Sequence, residues 1–307
     1  MSESKQVFVP DGLAGLRADA GLSKALGLSR TAITELIDAG LVSNSGKPVG
    51  KSDRLTAGDI IVVTLQQKAD PLLIHADHVE DFKVIFQDDH LIVIDKPAGV
   101  AAHPSVGWDG PTVPGALLGL GISLSTSGAA ERQGIVQRLD VGTSGLMVLA
   151  KSELAYSRLK KAFRDRTVHK VYHALVQGHP DPSSGTFDEP IGRHPKAEFK
   201  FMVSPDGKPS VTHYQTIEAF RSASLLEVIL ETGRTHQIRV HFSAFRHPLV
   251  GDTMYGADPV LAKKLGIEHQ WLHAMKLSFE HPITGEPVTF ESEYPRELSS
   301  VLDRLRG

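Results

Sequence analysis

The sequence contains no cysteine, which excludes disulfides, thiolate metal sites, iron–sulfur clusters and cysteine nucleophiles together. Long hydrophobic runs are also missing: residues 60–63 and 91–94 have the length of a strand, far below the roughly 18 apolar residues that predict a membrane span. The first residues show no basic stretch followed by an apolar one, so they do not resemble a secretory signal. We therefore expect a cytoplasmic protein that has no contact with a membrane.

Signature motifs of several enzyme classes are absent from the sequence. No P-loop, no G-x-G-x-x-G after a strand, no G-x-S-x-G elbow and no H-E-x-x-H occurs. Fifteen histidines require that a metal be considered, but His236 and His241 are five residues apart and do not share one helical face. No second acid stands near Asp140, as the two-carboxylate chemistry of glycosidases needs. We expect neither a metal nor a cofactor.

The sequence has little net charge, but its charge is unevenly distributed. A total of 33 Lys+Arg and 36 Asp+Glu gives −3, which by itself argues against a nucleic-acid partner. Residues 1–70 hold eight basic and eight acidic residues, whereas residues 158–170 hold six basic and one acidic. Such a basic stretch is typical of a phosphate-binding surface and also of an ordinary solvated helix face, and composition does not separate the two.

With 307 residues, the chain is long enough for two domains. Residues 1–70 predict a small α+β module, in which Ser29 caps a short helix that Gly40 ends, and residues 44–46 form a turn before the apolar run at 60–63. Residues 71–83 are polar with weak periodicity and predict a linker.

Residues 84–307 predict a second, mixed α+β domain with a largely antiparallel sheet. Apolar runs predict five strands, at residues 84–86, 91–94, 146–149, 172–176 and 225–230. Residues 155–166 and 235–245 predict helices, and the Gly- and Ser-rich stretch 115–130 predicts a loop.

The segment around Asp140 is a polar turn that leads directly into a predicted strand. Gly142 and Gly145 permit tight turns there, so Asp140 is expected at the mouth of a sheet. A carboxylate in such a place can act as a nucleophile or a base. The alternative is a turn that only starts the strand, a common role of Asp near glycine.

A second segment, residues 231–242, places an arginine beside a predicted core. Ile238, Phe242 and Phe245 form an apolar helix stripe, with Thr232 or Thr235 as the N-cap. Arg239 lies next to that stripe, where an arginine needs a carboxylate partner, and Asp140 is a candidate. Alternatively, Arg239 lies at the rim and packs only its stem.

Residues 170–176 alternate as a strand with Tyr172 on one face. The tyrosine side chain could stack on a planar ligand or belong to the core.

Six segments in this order resemble the RluA/RluD-type pseudouridine synthases. They are LIVIDKPAGV (91–100), RLDVGTSGL (138–146), KVYHALV (170–176), GRTHQIRVH (233–241), GDTMYG (251–256) and LHA (272–274). Residues 12–65 are similar to the alpha-L RNA-binding module that precedes the catalytic domain in this family. Two positions depart from the pattern: Gln137 stands where many members have histidine, and a glutamine does not titrate, and in the front module Asn44 stands where an apolar strand residue is usual.

The resemblance implies that Asp140 is the catalytic carboxylate that converts uridine to pseudouridine. It leaves open whether Asp140 attacks the sugar, attacks the base or removes a ribose proton. Arg239 would pair with Asp140 and orient it, Tyr172 would pack on the uracil, and Arg138 would enter the RNA stack beside a flipped nucleotide.

The resemblance also implies RNA as the partner: large-subunit (23S) ribosomal RNA, or its precursor particle, bound by a monomer. Further candidate RNA-binding residues are Arg30, Arg158, Lys160, Lys161, Arg164, Arg166, Lys170 and His236. Two alternatives stay open. One is a catalytically silent RNA-binding or ribosome-assembly factor on the same fold, and the other is a nucleoside hydrolase that uses Asp140.

Overall fold

The computed structural model describes residues 3–65, 74–105, 107–129, 132–197 and 199–307. Residue contacts divide the chain into two compact units, residues 1–73 and residues 74–307. Each unit has a hydrophobic core of its own. Among the described residues, no helix is long and apolar enough to cross a membrane.

The smaller unit pairs a four-stranded antiparallel sheet with two short helices. Its strands are β1 (Glu3–Phe8), β2 (Val42–Asn44), β3 (Lys47–Pro48) and β4 (Ile60–Leu65), in the order β1-β4-β2-β3, and its helices are α1 (Ala18–Leu26) and α2 (Arg30–Asp38). The Ser29 hydroxyl accepts a hydrogen bond from the Ala32 backbone N–H, and Gly40 follows α2 with φ +71°. Both predicted ends of this helix are confirmed.

The larger unit begins before residue 84. Asp77 accepts a hydrogen bond from Thr112 N at 3.0 Å, and its own N–H donates to Gly115 O at 2.9 Å. Phe82 packs against the core of this unit. The part of the predicted linker that the structure describes, residues 74–83, is therefore attached to the larger unit, and residues 71–73 lie outside the described residues.

A nine-stranded sheet forms the centre of the larger unit. Its strands are β5 (Lys83–Gln87), β6 (Leu91–Lys96), β7 (Ser144–Ala150), β8 (His169–Gln177), β9 (Ser184–Asp188), β12 (Val211–Ala219), β13 (Ala223–Leu230), β14 (Leu272–Glu280) and β15 (Pro287–Glu291). The order is β5-β6-β7-β14-β8-β13-β12-β9, with β15 on β14, and β7 and β14 run parallel whereas the other neighbours are antiparallel. Strands β10 (Ile191–Arg193) and β11 (Phe201–Val203) form a separate hairpin. The predicted α+β class with a largely antiparallel sheet is confirmed.

Helices cover both faces of this sheet. They are α3 (Val113–Gly119), α4 (Glu153–Arg164), α5 (Gln237–Ala244), α6 (Pro259–Leu265) and α7 (Arg296–Arg306). Ile238 and Phe242 of α5 share a core with Tyr172 of β8, whereas Leu175 of β8 packs with Trp271 on the opposite face. The alternation predicted for residues 170–176 is therefore confirmed, and Tyr172 lies on the α5 side of the sheet.

Helices α3 and α5 differ from the predictions made for their residues. Helix α3 occupies part of the stretch predicted as a loop: Thr112 caps it, and its glycines permit close packing, since a Cβ at Gly115 would lie 2.1 Å from Asp77 Oδ2. Helix α5 ends at Ala244, and Phe245 after it is 44% exposed, so Phe245 is not part of the buried stripe.

Candidate active site

Asp140 lies in a loop that is fixed at both ends by the sheet. The Thr143 N–H donates to Asp140 O at 3.0 Å and closes a tight turn just before β7. Gly145 has φ +111°, and a Cβ there would lie 2.4 Å from Ala274 O, so a glycine is required where β7 and β14 approach each other. The predicted position of Asp140 at the mouth of the sheet agrees with this geometry.

A buried lysine at the end of β6 anchors the same loop. Lys96 Nζ donates to the backbone carbonyls of Pro97 (2.9 Å), Val100 (2.8 Å) and Val141 (3.2 Å). Burial lowers the pKa of Lys96 to about 7, although the charge of Asp140 opposes this shift. The sequence interpretation gave Lys96 no role, although this lysine ends an apolar strand and belongs to the segment 91–100 that carries part of the resemblance.

Arg239 holds two carboxylates with one buried guanidinium. Its Nε and Nη2 donate to Asp252 at 2.7 and 3.0 Å, and its Nη1 donates to Asp140 Oδ2 at 3.1 Å. The ring of Tyr255 stacks on the guanidinium, with its centroid 4.9 Å from Arg239 Cζ. Burial lowers the pKa of Arg239, but its hydrogen bonds and ion pairs with Asp252 and Asp140 outweigh that effect and raise the pKa above its usual value.

The predicted contact between Arg239 and Asp140 is therefore present in the structure, and the rim alternative is wrong because the Arg239 side chain is only 7% exposed. The sequence interpretation missed the stronger, bidentate partner, Asp252, which belongs to the segment at 251–256.

Gln237, the first residue of α5, anchors the loop that precedes this helix. Gln237 Oε1 accepts from Thr232 Oγ1 and from Arg234 N, and its Nε2 donates to Val211 O and Thr212 Oγ1. His236 occupies the N-cap position with φ +56° and makes no capping hydrogen bond. Neither predicted cap, Thr232 nor Thr235, has that role.

A cavity surrounds the Asp140 carboxylate, which is 15% exposed. The residues that line this Asp140 cavity include Arg138, Thr143, Tyr172, Leu230, Arg234, His236, Arg239 and Leu272. Burial, and then the charge of Asp140, raises the pKa of Tyr172, so its phenol stays protonated.

A second cavity of about 480 Å³ adjoins the first and shares Arg138, Tyr172 and Arg234 with it. We call it the basic groove, because seven of its lining residues are Lys or Arg and one, Glu231, is acidic. The seven are Arg132, Arg138, Lys160, Arg164, Arg166, Lys170 and Arg234.

Among the candidate RNA-binding residues of the larger unit, Arg158 and Lys161 do not line this groove. Arg158 donates to Pro282 O at 2.6 Å, and Lys161 pairs with Asp165 on the same helix. Arg30 belongs to the smaller unit, where it and Arg17 hydrogen-bond to Asp19 and lower the pKa of Asp19 to about 2. Lys160, Arg164, Arg166 and Lys170 line the groove.

No group of three or more His, Asp or Glu side chains that could hold a metal ion occurs within the described ranges. Gln137 lines the basic groove, and its Nε2 is buried without an acceptor among the residues described. That amide is therefore a free donor at the position where the resemblance expects histidine.

Residues 90–244 match the family described as RNA pseudouridylate synthase. The chain is 58% identical to an uncharacterised RNA pseudouridine synthase of Mycobacterium bovis, over 97% of both chains. Among solved structures, human RNA pseudouridylate synthase domain containing 4 aligns with a TM-score of 0.57 at 28% identity, over 73% of this chain and 93% of that one. The chain therefore belongs to the RNA pseudouridylate synthase family and is an isomerase.

Within that family, the D-type enzymes of the ribosomal large subunit are also similar to it. The ribosomal large subunit pseudouridine synthase D of Xanthomonas campestris is 39% identical over 99% of this chain and 93% of its own length. The corresponding enzyme of Nitrosomonas europaea is 40% identical over 98% of this chain and 88% of its own. The RluA/RluD-type resemblance found in the sequence is confirmed.

Proposed function

We propose that this chain converts one or more uridines of large-subunit ribosomal RNA to pseudouridine, with Asp140 as the catalytic carboxylate. One observation carries the proposal: a carboxylate on a fixed loop is paired with a buried arginine in a cavity that adjoins a basic groove. The names of the D-type relatives support the ribosomal substrate.

The reaction needs no reagent beyond the RNA. The bond from ribose C1′ to uracil N1 breaks, the base turns within the site, and C1′ bonds to C5. The C5 hydrogen leaves as a proton and N1 gains one, so uridine and pseudouridine have the same composition. Because C1′ and C5 are inaccessible in a helix, the nucleotide must first flip out, at a cost of roughly a few kcal/mol.

The residues around Asp140 have different roles in this reaction. Arg239 neutralises part of the charge of Asp140 and fixes its Oδ2, which leaves Oδ1 for the reacting nucleotide. Tyr172 packs its ring on the uracil, and Arg138, exposed where both cavities meet, takes the place of the flipped base in the RNA stack. The lysines and arginines of the basic groove bind phosphates and thereby offset the flipping cost.

The smaller unit supplies further RNA contacts in this proposal. Its α+β fold agrees with the RNA-binding module expected from the sequence, and Arg30 is 61% exposed in its ion pair with Asp19. Ribosomal RNA as substrate places the enzyme in the cytoplasm.

Release of tritium from C5 of uridine tests this proposal directly, because the C5 hydrogen is lost only when C5 forms the new bond. We expect the purified chain to release tritium from large-subunit RNA labelled at C5. The Asp140→Asn variant should release none above background while it still binds the RNA. Normal release by Asp140→Asn would refute the role of Asp140, and formation of free uracil would indicate a hydrolase.

A further inference from the structure

His236 has an unusual backbone conformation at the edge of the Asp140 cavity. Its φ of +56° lies in the left-handed region, which is unfavourable for a residue with a Cβ. Such a conformation persists where the surroundings impose it, often at functional sites. Here it directs the imidazole into the cavity, with Nε2 3.8 Å from Asp140 Oδ1.

A tyrosine fixes which nitrogen of this imidazole carries the proton. The Phe201 backbone N–H donates to Tyr255 Oη at 3.0 Å, so the hydroxyl oxygen is an acceptor in that bond. The same oxygen lies 2.8 Å from His236 Nδ1, which is the only acceptor found for the hydroxyl hydrogen among the described residues. Donation from the hydroxyl to Nδ1 satisfies this hydrogen, and in a neutral ring it puts the proton on Nε2.

We infer that Tyr255 is a positioning residue, which holds His236 as a neutral imidazole with its Nε2–H directed at Oδ1 of Asp140. In this form His236 is a donor and does not act as a base. The inference rests on the proposed catalytic role of Asp140 and extends it: Tyr255 stabilises both partners of that carboxylate, with its ring on Arg239 and its hydroxyl on His236.

The groups that face His236 agree with a neutral ring. Asp140 and Arg138 come from the loop before β7, Arg239 from α5, and Asp252 from the turn that also carries Tyr255. Burial is the largest influence and lowers the pKa of His236, and these charges partly cancel one another.

Ring-nitrogen NMR of the histidines, combined with single-turnover rates on RNA, tests the inference. The His236 signals are identified by their loss in His236→Gln. In the wild-type chain we expect a protonated Nε2 and an unprotonated Nδ1. In Tyr255→Phe, which keeps the ring on Arg239, we expect both tautomers and a rate about tenfold lower, with RNA affinity changed less than twofold.

A second pair of variants keeps the test decisive if Tyr255→Phe does not fold. His236→Gln, whose amide can donate from near the Nε2 position, should retain more activity than His236→Leu. The matched control is Tyr294→Phe, which removes a hydroxyl from the Nδ1 of His173 on the other side of the sheet and should leave the rate unchanged.

A wild-type Nδ1–H, an unchanged tautomer in Tyr255→Phe, or equal rates for the two His236 variants would each overturn the inference. If the wild-type chain modifies no RNA, the proposed function and the positioning role fail together, whereas the NMR spectrum still decides the tautomer.

Discussion

The buried guanidinium of Arg239 fixes the positions of two carboxylates in the candidate active site. The planar fork of Arg239 gives two donors to Asp252 and keeps a third for Asp140. A lysine, which is a point charge without this fork, could not hold two carboxylates in a fixed relative orientation. Asp252 is 2% exposed and thus fixes the arginine that in turn orients Asp140.

Replacing Lys96 tests whether the loop that carries Asp140 has to be anchored. Replacing it in Lys96→Met keeps the volume of the side chain but removes the donor that holds Val141 O beside Asp140. Displacement of Asp140 by a fraction of an ångström should lower the single-turnover rate about tenfold or more. RNA affinity should change less than twofold, because the basic groove is not altered.

The matched control is Lys83→Met on the adjacent strand β5, where the lysine side chain is exposed. It should leave the rate unchanged. A folded Lys96→Met variant with the wild-type rate would show that this lysine does not position the loop.

The sequence predicted the pair Asp140 and Arg239 because a polar turn before a strand and an arginine beside an apolar stripe are local patterns. The partners Asp252 and Tyr255 could not be found in this way. Asp252 lies 13 residues beyond Arg239 and meets it only after the chain has turned back past the end of α5. Contacts of that kind depend on tertiary packing, which local periodicity does not encode.

Among the strands, β14 contributes His273 to a series of polar contacts between side chains within the sheet. His273 is fully buried, with its Nδ1 2.8 Å from Ser144 Oγ and its Nε2 3.0 Å from Ser292 Oγ. Ser292 Oγ donates in turn to Asp95 Oδ2 at 2.6 Å. Burial lowers the pKa of His273 to about 4, so its imidazole is neutral at pH 7.

The larger unit should therefore lose stability in mild acid. His273 titrates near 6.5 in the unfolded chain and near 4 in the folded one, so as pH falls from 6.5 to 4 the unfolded state alone gains the proton. Between about pH 7 and pH 5, this group should lower the free energy of unfolding by about 2 kcal/mol. Denaturant unfolding at both pH values measures the change.

Glutamine does not titrate, so in His273→Gln the decrease in the free energy of unfolding between pH 7 and pH 5 should be smaller by about 2 kcal/mol. The control is His75→Gln, which replaces an exposed histidine of the same unit. The same acid sensitivity in His273→Gln and in the wild type would contradict this assignment.

Elements with strong apolar runs were predictable from the sequence, and elements that depend on neighbours were not. Strands β6 and β7 are almost entirely buried, five of the eight residues of β13 are buried, and the hydrophobic runs of all three strands identified them. The hairpin β10–β11 has only three-residue strands, and one residue on each is exposed. Helix α3 looked like a loop because its glycines, which the packing against Asp77 requires, resemble turn signals.

At the scale of the whole molecule, net charge gave the wrong indication of the partner. The total of −3 is an average over a chain in which seven basic residues and one acidic residue line a single groove. A phosphate backbone responds to the local potential of that groove, because screening reduces the effect of charges more than about 10 Å away.

RNA affinity should therefore fall steeply with salt despite the negative total. The double variant Lys160→Ala with Lys170→Ala removes two groove charges, so the slope of log affinity against log salt should decrease in magnitude by about 1.4 to 1.8. Filter binding over a salt series measures this slope.

The matched control is the double variant Lys263→Ala with Lys264→Ala, which removes two exposed lysines from α6 outside the groove. It should leave the slope unchanged. Equal slopes for the groove variant and the wild type would refute phosphate binding in the basic groove.

In the proposed function, Asp140 makes this chain a pseudouridine synthase of large-subunit ribosomal RNA. Chemical mapping of pseudouridines in that RNA, from cells that lack the chain and are complemented with wild type or Asp140→Asn, tests it most directly. We predict at least one uridine that loses its modification without the chain, regains it with the wild type and stays unmodified with Asp140→Asn. An unchanged map in cells without the chain, or full restoration by Asp140→Asn, would contradict the account.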